Sequence, residues 1–230
     1  LFDTGAKFLG GGDMGKNVIL PFLNYQHIKK LDMLVISHGD NDHIGGADTI
    51  LKNLPVEHIL TSVPEKFDGY AASYCHAPQS WNWDGVTFHL ISPVEKFDDE
   101  NNNSCVLKIQ TSTGAVLLTG DIEAKAEQWL VNYAIEQLPS TILIAPHHGS
   151  KTSSTLSFIE AIHPETVLIP NGYRNQFNHP SKEVIARYQD LNIPYLTSAN
   201  DGAITVSLKN DRLKIESLRA TDGKYWNFHP

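Results

Sequence analysis

Residues 37–46 read Ser37-His38-Gly39-Asp40-Asn41-Asp42-His43-Ile44-Gly45-Gly46, which packs two imidazoles and two carboxylates into six consecutive positions, 38–43. The run just before it, Leu31-Asp32-Met33-Leu34-Val35-Ile36, is apolar and β-prone. The loop is therefore expected where a buried strand ends, held by a rigid scaffold. If it keeps an extended pitch, His38, Asp40 and Asp42 point one way, and His43 is swung round by a turn that Gly45 and Gly46 permit. Carboxylates packed this closely repel one another and resist burial unless a cation neutralises them, so the mixed nitrogen and oxygen set predicts divalent metal, with two ions expected. A solvated acidic turn accounts for the Gly, Asp and Asn of the loop but not for histidine on both sides of it.

With 230 residues, 41% of them apolar, the chain is long enough to bury one large core or two small ones, and one domain is expected. No stretch approaches the roughly 20 apolar residues of a membrane span. The sequence opens on Leu1-Phe2-Asp3-Thr4-Gly5 without an initiating Met, which reads as a piece of a larger protein with earlier strands truncated. A formal net charge of −8 argues against a uniformly basic nucleic-acid surface. A local patch of Lys151, Arg174, Lys182 and Arg187 is either a track for phosphates or a set of solvated charges. Cys75 and Cys105, the only two cysteines, are too few for a disulfide framework. One bridge in an oxidising compartment and two buried thiols both remain open.

Further along, residues 47–54 read as a short helix, 56–61 as a strand, and Trp81-Asn82-Trp83-Asp84-Gly85 as a hairpin turn leading into a strand at 86–91. The tryptophans are read as packing rather than as a base-stacking platform. Residues 104–111 and 115–119 form a second hairpin pattern. Helical patterns follow at 123–138, 155–162 and 182–191, strands at 141–145 and 166–170, and the alternation of Ile204, Val206 and Leu208 with Leu213 and Ile215 gives a closing hairpin. Strands paired as hairpins within each half, with helices between, predict an α/β protein with two sheets sandwiched by helices.

Three further strand ends carry chemistry. Asp121 closes Leu117-Leu118-Thr119-Gly120, and its two oxygens suit a carboxylate that bridges cations. His147-His148-Gly149-Ser150 closes the strand at 141–145. Asn178-His179-Pro180 ends the loop after 166–170. Each is weak alone; recurrence at strand ends behind a loop like 37–46 is a strong signal.

Together these residues resemble the metallo-β-lactamase fold, a four-layer αββα sandwich with a dinuclear site. Residues 1–5 resemble its Asp-Thr-Gly strand, 38–43 its His-x-His-x-Asp-His loop, and Asp121 its bridging aspartate. More narrowly, residues 37–46, Asn103-Ser104-Cys105-Val106-Leu107, Gly120-Asp121-Ile122-Glu123, Pro146-His147-His148-Gly149-Ser150 and His179-Pro180 resemble the C-terminal domain of the ComEC family of DNA-uptake channels in competent bacteria. Two departures stand out: Asp40 occupies the position of the fold's second histidine, and no histidine falls near Asn103 and Ser104. Carboxylate and water suit harder ions, so the swap favours Mn2+, with Zn2+ or Mg2+ as alternatives.

The resemblance implies a metal-dependent DNA phosphodiesterase that degrades the non-transported strand during uptake. His38 and Asp40 would hold one ion, Asp42 and His43 the other, with Asp121 between them and His148 as the remaining ligand. Asp42, His147 and His179 are the candidate catalytic residues, the two histidines as proton donors to the departing sugar oxygen. Asn103, Ser150 and Asn178 are candidates for phosphate or supporting contacts. The implied partners are DNA, expected single-stranded, and a transmembrane channel in the same parent protein on the extracytoplasmic face of the inner membrane; no small organic cofactor is expected. The alternatives are a small-molecule hydrolase of the same fold (a phosphodiesterase or lactonase) and a non-catalytic docking module.

Overall fold

In the computed structural model, residues 1–209 and 212–222 are described, and they fall into two compact units: residues 1–77 with 92–105, and residues 78–91 with the chain from 106 on.

The first unit is built on a parallel sheet of β1 (Leu31–Ile36), β2 (Val56–Thr61) and β3 (Ala72–Tyr74), in that order. Leu34 and Ile36 of β1 pack with Ile59 of β2, Ala47 and Phe67 in one core cluster, while Leu31 packs with Leu23 and Ile50 in another. The near-continuous apolar run of β1 is what a parallel strand requires. The N-terminal stretch pairs alongside β1 through a parallel bridge, Phe2 with Val35. Helices α1 (Leu20–Tyr25), α2 (Asn41–Ile44) and α3 (Ala47–Asn53) complete the unit. The hairpin pairing expected in this half does not occur: α3 lies between β1 and β2, and a helical crossover brings the second strand back parallel.

The second unit carries a seven-stranded sheet in the order β10-β9-β8-β7-β6-β5-β4. Its strands are β4 (Gln79–Trp83), β5 (Val86–Ser92), β6 (Val106–Gln110), β7 (Ala115–Leu118), β8 (Ile142–Ile144), β9 (Thr166–Ile169) and β10 (Tyr195–Thr197). Here β4 with β5 and β6 with β7 form the expected hairpins. Asp84 and Gly85, both at positive φ, make the first turn. From β7 to β10 every pair is parallel, because α4 (Ala124–Tyr133), α5 (Leu156–Ile162) and α6 (Lys182–Asp190) intervene. Leu117, Ile122, Leu130, Ile142, Phe158, Ile159, Val167 and Val184 are fully buried between sheet and helices. A separate hairpin, β11 (Ile204–Lys209) with β12 (Arg212–Ser217), follows as expected.

The parallel run from β7 to β9 has a functional consequence. The carboxyl ends of β7, β8 and β9 lie at one edge of the sheet, so the segments after them, which hold Asp121, His147-His148 and His179, leave from that edge. Ligand-binding groups in α/β sheets collect at such edges.

Candidate metal centre

The loop at residues 37–46 departs from an extended pitch almost at once. Asp40 is extended at φ −71°, ψ 147°, and caps α2, a single helical turn that contains Asp42 and His43. Alternation therefore stops at Asp40. Gly45 and Gly46 also differ from expectation, having negative φ. A Cβ on Gly46 would collide with the Thr4 carbonyl and with Gly15, so this glycine permits close approach rather than an unusual turn. Thr4 fastens the turn through N and Oγ1, which donate to the His43 carbonyl at 2.7 and 2.8 Å.

Proton accounting fixes the rings of this loop. Asp3 accepts from Ser37 N at 2.7 Å and Ser37 Oγ at 2.9 Å, and its Oδ2 lies 2.8 Å from His43 Nδ1. A carboxylate only accepts, so the His43 proton is assigned to Nδ1 and Nε2 keeps its lone pair. Ser37 Oγ, its own proton committed to Asp3, accepts from His38 Nδ1 at 3.0 Å, which assigns a lone pair to Nε2 of His38 as well. That atom lies 3.5 Å from Asp40 Oδ2. The rings of His38 and His43 are 4.2 Å apart.

In the second unit, His147 and His148 are both left-handed, at φ 49° and 53°. Such conformations cost side chains with a Cβ on the order of 1–3 kcal/mol each and persist where the surroundings over-determine them. Two successive left-handed residues bring both rings to one carboxylate. His147 Nε2 lies 3.8 Å, and His148 Nε2 3.6 Å, from Oδ2 of the buried Asp121. His148 Nδ1 lies 2.8 Å from the Pro170 carbonyl, an acceptor only, so its Nε2 too carries the lone pair. His147 Nδ1 faces Glu123 Oε1 at 3.2 Å, and its ring is 5.7 Å from that of His179. His179 is anchored through its backbone: its N–H donates to Asn175 Oδ1 at 2.9 Å and its carbonyl accepts from Asn175 Nδ2.

Asp42 and His43 in the first unit, and Asp121 and His148 in the second, each offer one ligand atom suited to a metal ion. Two imidazoles with fixed Nε2 lone pairs and two carboxylates are a donor set that fits a first-row divalent cation. Asp121 is 3% exposed, and a carboxylate buried to that degree requires compensating polar or charged partners.

Asp3 and Glu123, which hold His43 and His147, were not singled out by sequence reasoning. Asp3 stands 40 positions from its histidine, and no local pattern links them. Glu123 is two residues past Asp121, inside a stretch already of interest, which is the signal that would have found it. Asn103 does not reach the site from its side chain; it braces its own loop through Phe97 and Asp99. Of the basic patch, Arg187 is spent internally on the carbonyls of Ser153 and Ser154, while Lys151, Arg174 and Lys182 are exposed. Cys75 and Cys105 form a disulfide, and Cys105 N donates to the Ser37 carbonyl beside the metal loop.

Comparison with known proteins agrees with this chemistry. The family described as the metallo-beta-lactamase superfamily matches residues 1–172. The chain belongs to that superfamily. Its similarity to the structure of Tm1679, a metal-dependent hydrolase of the beta-lactamase superfamily, has a TM-score of 0.54 at 14% identity over 86% of this chain and 85% of that one. The chain is 37% identical to Competence protein ComA of Neisseria gonorrhoeae over its whole length, but spans only 32% of that protein. It is 27% identical to Ribonuclease J of Mycobacterium tuberculosis over 54% of this chain and 24% of that one. The metallo-β-lactamase fold and the kinship with competence proteins expected from residues 37–46 and their companions are thus found.

Proposed function

We propose that this metallo-β-lactamase chain is a metal-dependent phosphodiesterase that degrades single-stranded DNA, as one domain of a longer DNA-uptake protein. The observation that carries the reading is that each unit presents a carboxylate with an imidazole, Asp42 with His43 and Asp121 with His148, whose ring Nε2 atoms are readied by Asp3 and by the Pro170 carbonyl. In support, one relative is named a competence protein and another a ribonuclease.

In this reading His38, Asp40, Asp42, His43, Asp121 and His148 would hold two divalent ions, with Mn2+ favoured over Zn2+ and Mg2+. Bound there, divalent ions would supply positive charge against the transferring phosphate and lower the pKa of the attacking water. Asp42 orients that water and takes up its proton. His147, with Glu123 Oε1 3.2 Å from its Nδ1, protonates the departing sugar oxygen, with the adjacent His179 as the alternative donor. Phosphate rather than base contacts suffice for a degrading enzyme, so no sequence readout is expected.

No helix among the described residues is long and apolar enough to cross a membrane. The proposed channel partner would be a transmembrane part of a longer parent protein, in keeping with the 32% of the competence relative that the chain spans. The Cys75–Cys105 bridge supports an extracytoplasmic position, where disulfides persist.

The test is to incubate the purified domain with single-stranded DNA and Mn2+, alongside His148→Ala, and to count bound metal by elemental analysis. Nucleotide release by the wild type, lost in the variant together with metal, supports the reading. Turnover of a small phosphodiester or lactone without nucleotide release favours the small-molecule hydrolase, and absence of metal binding favours the docking module.

A further inference from the structure

We propose that residues 171–179, the loop after β9, form a stacking platform for the bases of a single DNA strand, with Phe177 as the ring that receives a base. The proposal deepens the nuclease reading and rests on it. Phe177 is 65% exposed and Tyr173 49%, so neither ring is placed to serve the core. Exposed aromatic rings gathered beside a functional site mark an interaction surface. Phe177 stacks on His179 with centroids 5.7 Å apart and planes 19° from parallel, and His179 in turn meets His147 at 5.7 Å. The exposed ring is thus two rings removed from the proposed proton donor.

The segment is built to hold that ring still. Asn175 Nδ2 donates to the carbonyls of Gly172 at 3.1 Å and His179 at 2.6 Å, while its Oδ1 accepts from His179 N. Asn171 Nδ2 also donates to the His179 carbonyl, at 3.2 Å, and Asn171 Oδ1 accepts from Ala199 N at 3.3 Å. A ring fixed before binding loses little entropy when a base settles on it.

The charge of the loop identifies the occupant. Residues 171–178 contain Arg174 and no acidic residue, within a chain of net charge −8. The Arg174 guanidinium lies 5.2 Å from the Tyr173 ring centre. An exposed cation beside the exposed Tyr173 ring, in the same short loop as the exposed Phe177 ring, suits a polyanion that carries flat apolar groups. A duplex hides its base faces, whereas a single strand offers each of them, and stacking tolerates any sequence.

The experiment measures anisotropy of the Mn2+-loaded chain with a nuclease-resistant phosphorothioate strand of thymidines and with an abasic strand of equal length. The wild type is expected to prefer the base-bearing strand by about tenfold, Phe177→Ala to lose that preference, and Phe177→Trp to keep it. Equal binding of both strands by the wild type, or an undiminished preference in Phe177→Ala, overturns the platform. Failure of the nuclease reading has a different signature: an ordinary strand in Mn2+ releases no nucleotide although the base preference is present.

Discussion

His43 Nδ1 lies 2.8 Å from Asp3 Oδ2, and through this contact a residue 40 positions away decides which nitrogen of the ring is available for coordination. The same carboxylate holds Ser37, and through Ser37 the ring of His38. One aspartate therefore orients both histidines of the loop.

Replacing Asp3 by Asn puts an amide where only acceptors stand, which disturbs the proton assignment on both rings. Divalent-metal affinity is expected to fall about 10–100-fold, read by calorimetric titration with Mn2+. Unchanged affinity in a folded Asp3→Asn protein would show that the contact does not prepare the ring.

Gly149, next to His148, has a φ of +81°, and a Cβ there would stand 2.7 Å from Pro180 Cβ. Both the backbone strain and the collision oppose any side chain. Gly149→Ala is expected to cost about 1–3 kcal/mol in urea unfolding, with metal affinity falling in parallel because His148 shifts.

Glu127 is fully buried in α4, accepting from the N–H groups of Ser154 and Thr155 near Arg187 and Tyr188. Burial pushes its carboxyl up to about 7, against the pull of those N–H groups and Arg187. Because the folded pKa is raised, the contribution to stability is complete below the unfolded value near 4.5 and is lost as pH rises through about 7. Between pH 4.5 and 8 the loss from this group is about 3 kcal/mol. Urea titrations at the two ends of that window should show a smaller pH effect in Glu127→Gln; an identical effect would mean the carboxyl ionises normally.

The Cys75–Cys105 bridge spans a sequence separation of 30. Closing a loop of that length restrains the unfolded chain by about 3–4 kcal/mol. Dithiothreitol, or Cys75→Ser with Cys105→Ser, should lower the urea midpoint accordingly. Since Cys105 N bonds the Ser37 carbonyl, Mn2+ affinity should weaken as well.

Much of this was written locally. The run from Leu31 to Ile36 announced a buried strand, the turn at Asp84-Gly85 announced its hairpin, and clustered His and Asp marked a loop whose Asp42 and His43 could bind metal. What escaped is long-range. A parallel pairing such as Leu31 with Val56 depends on a crossover, and period-two patterning does not distinguish it from a hairpin. The helical turn at Asn41–Ile44 escaped because four residues are too few for a 3.6-residue period to show. The partners of the histidines, Asp3 and the Pro170 carbonyl, escaped because folding alone brings them close, and a backbone oxygen has no letter in a sequence.

Arg187 gives its guanidinium to the carbonyls of Ser153 and Ser154, so a head count of basic side chains overstates the countercharge left for a nucleic acid. Of that patch Lys151, Arg174 and Lys182 remain exposed, so it displaces about three condensed ions at most when a strand docks, and its share of the salt dependence is correspondingly shallow. A protein that grips mainly by ring faces would keep hold of its strand in brine that strips ordinary basic binders away.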